Sequence, residues 1–157
     1  MGDAVVSIIR PIPVDPAPET VQDGNTVPLK KPRRNRKSAK NAGVTFERQI
    51  ADWLKDRLDD DRIDRRVKNG RNDRGDIAGV RTIRGGRVVI EAKNYAGEYK
   101  VGPWLAEAEL EAGNDDAPIG VVVAKRRGTT DPGRQYVFMD LETLARLIEG
   151  GPDVAEF

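Results

Sequence analysis

The sequence predicts an α/β fold, one domain with a mixed β-sheet flanked by helices. Three observations predict it. Apolar residues recur at helical spacing in three stretches, near 46–58, 103–112 and 141–148. Strand-like runs fall between them in pairs, 77–83 with 88–92 and 119–124 with 135–139. Two of those runs are expected to be central strands covered on both sides: Val88–Ala92, apolar on both faces until Glu91, and Ile119–Ala124, the most strand-like segment.

Taken in order, residues 1–41 read as a disordered, Pro-rich and basic N-terminal arm. Pro11, Pro13, Pro16, Pro18, Pro28 and Pro32 leave no room for a long helix. Val5–Ile9 fits a short strand, a partner-docking segment or a disordered end. Residues 1–29 carry Arg10 against Asp3, Asp15, Glu19 and Asp23, and then Lys30, Lys31, Arg33, Arg34, Arg36, Lys37 and Lys40 follow with no acid among them. The net charge of +1 thus conceals a concentrated cation suited to a polyanion. Such an arm grips phosphates without reading sequence; a solvated linker would share the composition.

A helix is expected from about Thr45, capped by Asn41 or Thr45, with Phe46, Ile50, Trp53, Leu54 and Leu58 as its buried face. Glu47 lies in its first turn, where an acid complements the helix dipole. Ile63 and Val67 suggest a short strand or turn. The loop Asn69–Gly75 follows, and Lys68, Arg71 and Arg74 on it are candidate phosphate contacts beside Asp76. Ile77–Ile83 and Val88–Ala92 form a hairpin about Gly85-Gly86. Tyr95 and Tyr99 lie in a loop, Pro103 opens a helix through Trp104, Leu105, Ala108 and Leu110, and Gly113 ends it. Ile119–Ala124 emerges into Lys125, Arg126 and Arg127, further candidate contacts to a nucleic-acid backbone. Gln135–Met139 is a strand, Asp140 or Thr143 starts a last helix, and residues 151–157 form a C-terminal tail.

Composition narrows the chemistry. The chain has no cysteine and no histidine, so disulfides, thiolate zinc sites, imidazole bases and Ser-His-Asp triads are excluded. Catalysis must use carboxylates, Lys, Tyr, Ser or Thr, with an oxygen-ligated metal as the natural helper. No apolar run is long enough to span a membrane, Gly2-Asp3 makes a poor signal peptide, and the cytoplasm is the expected compartment.

One constellation suits that chemistry. Asp76 opens one strand of the hairpin and Glu91-Ala92-Lys93 closes the other, with Glu91 and Lys93 on one face. Asp76 and Glu91 are expected to hold the ion, with the Ala92 carbonyl as a further oxygen ligand and Asp73 as a rival one. Glu47 adds a contact if its helix packs beside the hairpin. Lys93 orients water or offsets phosphorane charge. A structural ion pair and a strand-opening turn residue are the alternative readings of these positions. Register is the difficulty, because a two-residue turn at Gly85-Gly86 carries Asp76 several residues beyond Glu91.

Glu47 on the first helix, Gly75-Asp76-Ile77, and Glu91-Ala92-Lys93 after Val88-Val89-Ile90 resemble the PD-(D/E)XK nuclease superfamily. Within it, the chain is most similar to small archaeal and phage-type Holliday junction resolvases, over about residues 43–148. The resemblance implies a restriction-endonuclease-like domain over 42–150 and a homodimer using Mg²⁺, with Mn²⁺ as the alternative ion. It also implies cleavage of phosphodiesters in branched, four-way DNA. A restriction- or repair-type nuclease on duplex DNA and a non-catalytic DNA-binding module are the competing readings. Gly75 stands where the family motif has proline.

Overall fold

The computed structural model describes residues 35–67, 70–95 and 97–151. Lys30, Lys31, Arg33, Arg34 and Lys68, with the Val5–Ile9 segment, lie outside the described residues. The elements are α1 (Arg36–Leu58), β1 (Asp64–Arg65), β2 (Ile77–Ala78), β3 (Val88–Lys93), α2 (Val101–Asn114), β4 (Ile119–Ala124), β5 (Tyr136–Phe138) and α3 (Leu141–Glu149). They build a five-stranded open sheet in the order β1-β2-β3-β4-β5. The β3–β4 pair is parallel and the other pairs are antiparallel. Helix α2 is the crossover that a parallel pair requires.

The pleat sorts side chains between two covering layers. Val88 and Ile90 of β3, with Ile119, Val121 and Val123 of β4, pack with Phe46, Ile50 and Ala51 of α1. The alternate residues Val122 and Ala124 pack with Trp104 and Ala108 of α2. Helices α1 and α2 therefore cover opposite faces of the sheet. Helix α3 contributes Leu147 to the α1 side, and its Leu141, Leu144 and Ile148 are exposed rather than the buried face expected. No described helix is long and apolar enough to cross a membrane.

Helix α1 starts earlier than expected. Asn35 is its cap, accepting a bond from the Ser38 N–H at 2.8 Å, and neither Asn41 nor Thr45 fills that role. Past Pro32 no proline interrupts the run, and Arg, Lys and Ala favour helix. Arg36, Lys37 and Lys40 consequently belong to α1, not to an arm. Trp53 and Leu58 are exposed; the buried stripe is Phe46, Ile50 and Ala51.

The hairpin register also departs from a tight Gly-Gly turn, which would set Ile77 opposite Asn94. Ile77 instead faces Ile90. Most of that shift comes from the turn: Arg81 pairs with Arg87, and the Thr82 N–H donates to the Gly86 carbonyl across a longer loop. The remainder comes from one extra residue at Gly79 (φ +86°), a bulge in which an added Cβ would lie 2.1 Å from the Arg62 carbonyl oxygen. Only glycine fits there, and the bulge cuts the first strand of the hairpin to Ile77–Ala78.

Candidate active site

Gly75 turns the chain into β2. Its φ is +84°, and an added Cβ would lie 2.5 Å from Val89 Cγ1 and 3.1 Å from the Ile90 carbonyl oxygen. The missing side chain lets Asp76 come against β3. A proline here, fixed near φ −65°, cannot make that turn. The Asp76 N–H donates to the Ile90 carbonyl at 2.9 Å, and its Oδ2 accepts from the Ala92 N–H at 2.9 Å. Asp76 thus brackets Glu91, resolving the register difficulty. The described contact of Ala92 is through its N–H.

Glu91 and Lys93 point to the α2 face and are buried, as is Asp76. Lys93 Nζ donates to Glu91 Oε1 at 2.8 Å and to Glu107 Oε2 at 2.6 Å. One carboxylate oxygen from each of Glu91, Glu107 and Glu111 lies within 4.8 Å of the others. Glu91 and Glu111 are 2% and 5% exposed, and Oε2 of each is buried with no hydrogen-bond partner among the described residues. Acceptors placed together without a donor repel, and burial amplifies the repulsion. Burial first, and then the charge of Asp76, push the Glu91 carboxyl up to about 9. Burial likewise raises Glu111, against a hydrogen bond with the neighbouring Glu91 carboxyl that lowers it. Burial works against the Lys93 ammonium, but its bonds to Glu107 and Glu91 leave it raised above the ordinary lysine value.

This donor set fits a hard divalent cation. Its atoms are all carboxylate oxygens, which suit Mg²⁺ or Mn²⁺, and Glu91 and Glu111 each carry a buried oxygen with no hydrogen-bond partner among the described residues. Sequence reasoning missed Glu107 and Glu111, although a signal was there. Trp104, Ala108, Glu111 and Ala112 share the buried stripe of α2, and an acid within such a stripe needs a partner. Glu107, one turn before Glu111, joins the same cluster.

Glu47 is not brought to this cluster by any described contact. Helix α1 covers the other face of the sheet, and Glu47 Oε2 accepts from Arg65 Nε at 2.6 Å. Asp73 is half-buried and adds to the negative field at Glu111; its own Oδ1 accepts from the Arg74 N–H at 3.0 Å. Arg74 reaches toward buried Asp115 at 3.8 Å, and Arg66 pairs with the same carboxylate at 2.9 Å. Arg71 lies in a short 3₁₀ turn, Gly70–Asn72.

At the carboxyl ends of β3 and β4, Asn94, Lys125, Arg126, Arg127 and Thr129 line an open cleft of about 500 Å³. Lys125 Nζ donates to the Thr129 carbonyl at 2.7 Å and lies 5.7 Å from the Phe46 ring centroid. Arg126 stacks over Tyr136 at 5.4 Å. The cleft adjoins the main chain of Lys93, whose carbonyl accepts from the Lys125 N–H at 2.8 Å, while Lys125 Nζ lies on the α1 side and the Lys93 side chain on the α2 side. Comparison with protein-family models, curated proteins and solved structures finds no match to this chain.

Proposed function

We propose that the chain is a metal-dependent endodeoxyribonuclease acting on branched DNA, with a restriction-endonuclease-like domain of the PD-(D/E)XK kind. The observation that carries this reading is the docking of Asp76 against Ile90 and Ala92, which sets it beside Glu91 and Lys93 despite the long hairpin loop. Mg²⁺ held by these carboxylates supplies Lewis acidity at the phosphate and an acidified water. Asp76 and Glu91 fix that position in a buried, low-dielectric wall. The Lys93 ammonium is the nearby cation for the charge that develops on the phosphorane oxygens. Lys125 and Arg126, at the mouth of the adjoining cleft, grip the DNA backbone without reading bases. Paired cuts at a four-way junction require two opposed sites, hence a second subunit. The exposed Leu141, Leu144 and Ile148 of α3 offer apolar area for it.

A second reading has its own support. Lys93 is ion-paired with both Glu91 and Glu107, which suits a DNA-binding module whose acids are structural. Cleavage separates the two. Labelled four-way junction, duplex and single strand are incubated with the full chain, in Mg²⁺ or in EDTA. The nuclease reading expects paired nicking of the junction in Mg²⁺ alone, reduced about 100-fold or more in Asp76→Asn and Lys93→Ala. Cutting that ignores both substitutions, or that no substrate undergoes, sinks it. Preference for duplex selects a restriction- or repair-type enzyme.

A further inference from the structure

We infer that Glu107 and Glu111 of α2 join Glu91 as the cation ligands, and that the Lys93 ammonium holds the cation's place when no metal is bound. The inference rests on and deepens the nuclease reading, which needs a divalent cation but draws its acids from Asp76, just before β2, and Glu91 of β3. Three observations support it. The carboxylates of Glu91, Glu107 and Glu111 already converge within 4.8 Å of one another. Glu91 Oε2 and Glu111 Oε2, both deeply buried, have no donor among the described residues. Lys93 Nζ occupies the ground between Glu91 Oε1 and Glu107 Oε2, at 2.8 and 2.6 Å.

One ammonium cannot balance this cluster. Asp76 adds a fourth carboxyl group beside Glu91, against the single ammonium of Lys93. The ammonium has three N–H donors, and its described bonds go to Glu91 and Glu107, with none to Glu111. A hard cation gathers oxygen ligands from all sides and takes the third carboxylate as well. The Glu107 side chain is 46% exposed, giving the ion a way in from solvent. An arriving cation competes with Lys93 for Glu91 and Glu107. The displaced ammonium is then available to a phosphate that arrives where Glu107 opens to solvent. Metal arrival and release of the lysine become one event, and Glu107 acts in both.

Competition has a signature that a purely structural ion pair lacks: removing the lysine improves metal binding. The full chain and its variants are titrated with Mn²⁺ by calorimetry, with thermal unfolding as the check on folding. Lys93→Met is expected to bind Mn²⁺ roughly tenfold tighter, and Glu107→Gln and Glu111→Gln roughly tenfold weaker. Unchanged or weaker binding in folded Lys93→Met overturns the competition. Wild-type affinity in both glutamine variants overturns the ligand set. In case Lys93→Met does not fold, the wild-type protein with ¹⁵N-labelled lysine gives a second readout. The Lys93 Nζ signal should shift and exchange faster as Mg²⁺ saturates, and a signal indifferent to Mg²⁺ refutes the displacement. Metal binding as described, with no DNA cut, overturns the nuclease reading and leaves this site standing. Mg²⁺-dependent cutting with wild-type Mn²⁺ affinity in both glutamine variants does the reverse.

Discussion

On one face of the sheet α1 buries Glu47, and on the other α2 buries Glu111; the two are 6% and 5% exposed. Glu47 Oε2 accepts a bond from Arg65 Nε at 2.6 Å, in a setting otherwise built of Phe46, Ile50 and strand aliphatics. Glu111 Oε2 has no donor among the described residues and converges with the carboxylates of Glu91 and Glu107. The α1 face closes its electrostatics within the protein, and the α2 face does not. Equal burial of the same residue type therefore carries opposite meaning. Glu47 is part of what holds α1 to β1, whereas Glu111 costs stability until a cation or a proton arrives. Groups kept at such a cost mark functional sites more often than groups satisfied by neighbours.

The contrast depends first on the backbone that aims Asp76, so the largest break is expected at Gly79. Gly79→Ala combines a left-handed φ of +86° with overlap against the Arg62 carbonyl. It should destabilise by about 3 kcal/mol or more in urea unfolding. Whatever still folds has lost the bulge and should bind Mn²⁺ more weakly, because Asp76 no longer brackets Glu91. A mild effect on both readouts would mean that the register does not depend on this residue.

Next in size is one substitution applied to both faces. Glu47→Leu leaves the Arg65 guanidinium, largely buried, without its anion and should cost about 2 kcal/mol. Glu111→Leu removes an unpaired carboxylate from an apolar stripe and should leave the metal-free protein neutral or up to about 2 kcal/mol more stable. It should also reduce Mn²⁺ affinity. Two losses of similar size in metal-free urea titrations would erase the distinction between the faces.

Much of this arrangement was legible in the sequence, and the failures have physical causes. Val88–Lys93 and Ile119–Ala124 could be placed because an apolar run of that length has few other uses, and Glu91 and Lys93 followed from the pleat. The α2 acids were passed over because Glu107, Glu109 and Glu111 alternate like a solvated segment. Leu110, read as part of the apolar face, is 67% exposed. Phasing the helix from Trp104 and Ala108 instead puts Glu111 inside. The Gly79 bulge could not be read locally, because what forbids a side chain there is a carbonyl from the preceding turn. The pairing of Glu47 had the same origin, since its partner Arg65 lies on a two-residue strand with little pattern of its own.

The smallest effect per step, at most about 1.4 kcal/mol per pH unit, is also the most diagnostic of the α2 face: a pH dependence of stability that Mg²⁺ removes. The Glu91 carboxyl is pushed from the ordinary 4.5 up to about 9, first by burial and second by Asp76. The metal-free folded state therefore retains a proton that the unfolded chain has released. Between those values the native state binds more protons than the unfolded one, so stability falls as pH rises. For one group the slope is at most about 1.4 kcal/mol per pH unit. A bound cation replaces the proton, so in saturating Mg²⁺ the decline between pH 5 and 9 should flatten. Glu91→Gln, neutral throughout, should reduce it without metal and leave the share of Glu111. Urea unfolding across that range, with Mg²⁺ and with EDTA, reads both effects. A decline unchanged both in Mg²⁺ and in Glu91→Gln would place its source outside this cluster, and the α2 face would then be as self-sufficient as the α1 face.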